Sequence, residues 1–112
     1  SMSYQDSQVT VRIAATTPVG AASASVIHKL GEYGWAELVC IGLAAQTQVT
    51  KVMVSVRSRV TVGWGDDLEV AFSPREEDVE VPSKGLDKKS YLKANVWKVI
   101  LMPTSLVPPA GM

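Results

Sequence analysis

One cysteine, Cys40, and one histidine, His28, are all the thiol and imidazole that this chain of 112 residues carries. A single cysteine excludes an intrachain disulfide and fits a reducing compartment. The same scarcity argues against a metal centre, which draws several ligands from His, Cys and carboxylates. Net charge is missing as well, because eleven basic residues balance eleven acidic ones. A domain that grips nucleic acid by charge alone is usually basic overall. Any such binding here has to use local patches and to be modest and salt-sensitive. No apolar run approaches the roughly twenty residues that cross a bilayer. No basic-then-apolar signal segment opens the chain, and Ser1 reads as a tag remnant before a native Met2. The expectation is a cytoplasmic protein with no membrane contact. Phosphate-loop, dinucleotide and nucleophile-elbow fingerprints are absent. The neighbouring acids Asp66-Asp67 and Glu76-Glu77-Asp78 read as solvated loop residues, and no set of acid, base and nucleophile can be assembled. The chain is expected to be no enzyme, with no cofactor, no metal and no small-molecule substrate.

What is present suits one domain around one core: 46% of the residues are apolar and 20% charged. The charges are segregated. Residues 1–63 hold five bases and three acids, 64–82 hold seven acids and Arg75, and 83–98 hold five lysines and Asp87. Residues 1–8 read as a disordered start, 9–103 as the domain with a long arm at 75–93, and 104–112 as a Pro-rich tail.

The organising stretch is Cys40 to Arg59. It leaves a buried apolar run, turns at Gly42, and passes through small and amide residues into a basic amphipathic segment. Before it, Val9, Val11 and Ile13 alternate with Gln8, Thr10 and Arg12, which predicts a strand over 9–15. Thr17 is placed to cap a helix with Pro18 at its first position. Val19, Ala22, Val26, Ile27 and Leu30 form its apolar stripe, and Gly31 and Gly34 its stop. The apolar run from Trp35 or Ala36 to Ile41 predicts a buried strand, parallel to the first through a right-handed crossover.

Residues 47–62 fit either period. A helix would line up Val49, Val52, Met53, Val56 and Val60, whereas a strand would alternate Val52, Val54, Val56, Val60 and Val62 with polar residues. Val62-Gly-Trp-Gly-Asp-Asp reads as a turn and Leu68 to Phe72 as a strand that Ser73-Pro74 ends. The 75–93 arm is too long for a hairpin loop, and its acids at 76–78 are placed to pair with Lys88 and Lys89. Ala94 to Met102 is the last strand.

Val11 to Arg57 resembles the stage V sporulation protein S family of the Alba-like superfamily. The resemblance rests on the strand ending in Thr16-Thr17-Pro18, the small-residue helix Ala21 to Leu30, and Gly34 before Glu37 to Ile41. It continues through Ile41-Gly42, Gln48, Lys51 and Val56-Arg57, with Asp67 to Phe72 and Val96 to Pro103 as the last two strands. It implies an α/β (α+β sandwich) fold: β-α-β-α-β-β, a mixed four-stranded sheet with both helices on one face. It also implies a helix over Ala45 to about Val60, and a homodimer that binds DNA or RNA. The implied binding face collects Thr16 to Pro18, Gly42 to Lys51, and the arm. Alba proteins typically carry lysine where Thr17 stands, and basic residues around the glycine where this chain has Ile41 and Leu43.

The candidate nucleic-acid residues are therefore Thr17, Gln46, Gln48, Lys51, Arg57, Arg59, Lys84, Lys88 and Lys89. The cations would meet phosphate, and the glutamines a base or sugar. Amides after Thr17 open a helix and suit a phosphate oxygen. The bland alternative for each is a solvated helix face, a cap or a soluble loop. The alternative function is an interaction or assembly module that kept the fold without the nucleic-acid site.

Overall fold

The computed structural model describes residues 7–81 and 90–109. Its elements are β1 (Thr10–Arg12), α1 (Val19–Tyr33), β2 (Trp35–Cys40), α2 (Leu43–Trp64), β3 (Leu68–Val81), β4 (Ser90–Pro103) and a 3-10 turn at Thr104–Leu106. The sheet order is β1-β2-β4-β3. β1 and β2 are parallel, and β4 is antiparallel to both β2 and β3. This is the expected mixed α+β sheet.

Both helices pack on one face. Val26 and Leu30 of α1 and Val49, Val52, Val56 and Val60 of α2 form one cluster with Val11, Leu38 and Val99 of the sheet. α2 is thus a helix, and its buried stripe Ala45, Val49, Val52, Val56, Val60 has helical spacing. Packing overrides the strand propensity of its valines. No helix among the described residues is long and apolar enough to cross a membrane.

Several boundaries differ from the sequence-based expectations. The β1 ladder is shorter than 9–15, although its ends are fastened by Glu37 N–H to the Val9 carbonyl and Ile13 N–H to the Val39 carbonyl, both 2.8 Å. Thr17 does not cap α1: its hydroxyl accepts the Ala14 amide at 2.7 Å and closes the loop, and Pro18 is the residue before the helix. α1 runs on past Leu30 and Gly31 to Tyr33, and stops at Gly34, which takes φ 81°. α2 absorbs Val62-Gly63-Trp64, expected as a turn. Trp64 lies beside Gly31 of α1.

The largest difference is in the arm. β3 does not end at Pro74 but continues to Val81, and β4 begins at Ser90 instead of Ala94. Residues 75–81 and 90–96 are paired throughout, from Arg75 opposite Val96 to Val81 opposite Ser90. The stem of the arm is a two-stranded ribbon. Proline is tolerated because β3 is an edge strand, where a missing N–H need not interrupt the inner ladder. Asp78 pairs with Lys93 at 2.7 Å. Lys88 and Lys89, expected opposite the acids, lie outside the described residues.

Candidate nucleic-acid interface

β1 and β2 are parallel, so their carboxyl ends and the starts of α1 and α2 lie at one end of the molecule. β2 leaves the sheet at Cys40, and Gly42 turns the chain with φ 89° and ψ 163°. That conformation is essentially reserved for glycine. α2 then starts with no side-chain cap and no acid in its first turn, and α1 starts the same way. Between the two loops is a cleft of about 490 Å³, bordered by Arg12, Ile13 and Thr17 on one side and by Ile41, Gly42 and Leu43 on the other. Cys40 also lines it, and burial pushes its thiol pKa up, away from reactive thiolate.

The ribbon leaves from this same end. Cys40, the last residue of β2, pairs with Asn95, so Ser90 to Ala94 project beyond it. Five residues extend the ribbon about 17 Å past the cleft. Its stem carries the acids Glu76, Glu77, Asp78 and Glu80 against Arg75 and Lys93. Tyr91, half-exposed, is the one aromatic on it.

The candidate residues divide into three groups. Thr17, Gln46 and Gln48 are brought together, but their polar atoms hold the end of the molecule in shape. The Gln48 amide nitrogen donates to the Thr17 carbonyl at 2.6 Å, tying the start of α2 to the first loop. The Asn95 amide nitrogen donates to Gln46 Oε1 at 3.1 Å, tying α2 to the base of the ribbon. Arg57 and Arg59 lie elsewhere. Arg57 is fourteen residues along α2 from Leu43, or about 21 Å at helical rise. Its guanidinium pairs with Glu69 of β3 at 3.0 and 3.3 Å. Arg59 donates to the Gly20 carbonyl of α1 at 3.4 Å. The two arginines fasten α2 to β3 and to α1. Lys51 is exposed on α2 between these groups. Lys84, Lys88 and Lys89 lie outside the described residues.

Two residues at this end escaped the sequence reading. Arg12 was legible only as a polar residue facing outward, although it stands just before the first loop. Asn95 carries no local signal, since its partner is on another element. His28 pairs with Glu32 at 2.8 Å on the exposed side of α1. Among the described residues no group of three or more His, Cys, Asp and Glu side chains is placed to hold a metal ion. No protein-family model matches the chain, and no curated protein matches it.

Proposed function

We propose that this protein is a non-enzymatic, dimeric nucleic-acid-binding protein of the Alba-like type, which contacts phosphate backbone with little sequence specificity. The observation that carries this reading is the shared end of the molecule. Two uncapped helix starts, the cleft between the loops, and the ribbon all face the same way. Helix starts present unpaired amides and a positive dipole end to phosphate, and a projecting ribbon suits a groove. Lys51 on α2 and Lys84, Lys88 and Lys89 between β3 and β4 are the cations of this reading. Arg57 and Arg59 drop to supporting roles, because each already holds α2 in place. The cytoplasm is the setting, where nucleic acid is within reach.

The test is fluorescence anisotropy with labelled single-stranded DNA, duplex DNA and RNA, titrated across salt. The expected result is saturable binding whose logarithm falls linearly with log salt. Replacing Lys84, Lys88 and Lys89 together by Ala should weaken binding to all sequences and shallow the slope by about 0.9 per lost duplex phosphate contact. No binding at low salt by a folded sample overturns the proposal.

A second reading is an interaction module. It is favoured by the internal use of Gln46, Gln48, Arg57 and Arg59, by the acidic ribbon stem, and by Leu43, Val54 and Val62, which α2 leaves exposed. Capture of one protein partner, insensitive to nuclease, distinguishes it.

A further inference from the structure

The cleft between the two loops is apolar at the end of the molecule where phosphate contact calls for polar groups. Of the described residues that line it, Arg12 alone is charged, and Thr17 and Cys40 hold the other polar side chains. Its mouth is aliphatic: Leu43 is 82% exposed and Ile41 36% exposed, one on each side of Gly42. Neither can hydrogen-bond a phosphate, and pressing a phosphate against them strips its water with nothing in return. A cleft of about 490 Å³ has instead the size that takes a small organic ligand. One cation at the edge of an otherwise neutral, apolar hollow matches a neutral ring attached to an anion.

The ribbon points to the same chemistry. Val99 of β4 packs in the core beneath the helices. By alternation Asn95, Lys93 and Tyr91 share its side, with Glu76, Asp78 and Glu80 opposite them. Asn95 bonds Gln46 of α2 on that side at 3.1 Å. Three carboxylates stand there against one ammonium, that of Lys93, which Asp78 holds at 2.7 Å. This face repels phosphate. Yet Tyr91 on the same face is 50% exposed and stands four residues beyond Asn95, about 13 Å farther out. Its ring is a stacking surface beside acids.

We infer that this end of the molecule takes single-stranded nucleic acid, with one unpaired base seated in the cleft beside Leu43 and another stacked on Tyr91. The inference rests on the nucleic-acid reading above and adds which form of nucleic acid is bound. A duplex keeps its bases stacked and paired, and would lay charged backbone on Leu43 and along the carboxylates. A single strand can turn its bases toward the protein and its phosphates away. Base contact supplies affinity without charge, which is what a chain of zero net charge needs. Thr17 completes the seat. Its hydroxyl oxygen accepts the Ala14 amide at 2.7 Å, and an accepting hydroxyl keeps its own hydrogen to donate. Every base has an acceptor to meet it, so that contact does not choose among sequences.

Fluorescence anisotropy of the full chain tests this with a labelled single strand, its duplex, and an abasic strand of the same length. The single strand should bind about tenfold tighter than either of the others. Its salt slope should match that of the abasic strand, because only uncharged contact separates the two. Leu43→Gln, at an exposed position and with no change of charge, should weaken single-strand binding about fivefold. Tyr91→Ser should do likewise, and in both variants duplex binding, circular dichroism and melting should stay as in the wild type. Abasic strand or duplex bound as tightly as the normal single strand overturns this inference alone and leaves the phosphate-contact reading standing. Single-strand binding unmoved in both variants does the same. No binding of any probe at low salt overturns the nucleic-acid reading, and this inference with it.

Discussion

Gly42 stands where the chain leaves β2 and must enter α2 within two residues, at φ 89° and ψ 163°. A side chain has open space there, with nothing within 4 Å of a built Cβ, so the constraint is purely backbone conformation. Gly42→Ala should therefore cost about 1–3 kcal/mol from strain alone, read as a lowered urea midpoint at unchanged slope. This role was legible in the sequence, because a glycine closing an apolar run marks a turn. The roles of Gln48 and Arg57 were not. Gln48 bonds a carbonyl thirty-one residues away, and Arg57 a carboxylate twelve residues away across an element boundary. Surface cations and amides look alike in a sequence whether they meet solvent, phosphate or a neighbouring strand. Only their partners separate the cases, and for Arg57 and Arg59 the partners are internal.

The ribbon is the element in which local signals and the folded chain diverge most. Pro74 reads as a terminator, yet β3 passes through it and stays paired with β4 to Val81. Proline is compatible with a strand when its nitrogen faces away from the ladder, which only the outermost strand permits. The order β1-β2-β4-β3 puts β3 there. A long edge strand is also a template for unwanted pairing, and proline blunts it. Pro74→Thr restores a donor on that edge. Its expected effect is faster aggregation at high concentration, followed by turbidity or light scattering, with monomer unfolding free energy changed by no more than about 1 kcal/mol, the span of β-propensity. α2 shows the opposite relation. Its valines favour strand, but Val49, Val52, Val56 and Val60 repeat at helical spacing, and burying all four on one line decides for helix.

At the scale of the whole molecule, Leu38 is the junction. It is fully buried, pairs with Val11 on β1 and Trp97 on β4, and belongs to the cluster shared with both helices. Leu38→Ala should destabilise by about 2–5 kcal/mol. Fluorescence and circular dichroism should still report one coincident transition, because one core serves all the elements. The sequence by itself determined the helix over α1, the existence of all four strands and the parallel crossover of the first two, because periodicity, glycine and proline act within a few residues. It also determined, through its neutral charge, that any grip on nucleic acid must be local. Local periodicity left 47–62 open between helix and strand, and the helix that the family resemblance implied is the one that packing selects. Tertiary structure alone decided that the arm is a strand pair carried through a proline, and that Arg57 and Arg59 brace α2 against β3 and α1. The reason is physical: edge position, burial and long-range partners belong to the packed sheet, and no window of neighbouring residues contains them.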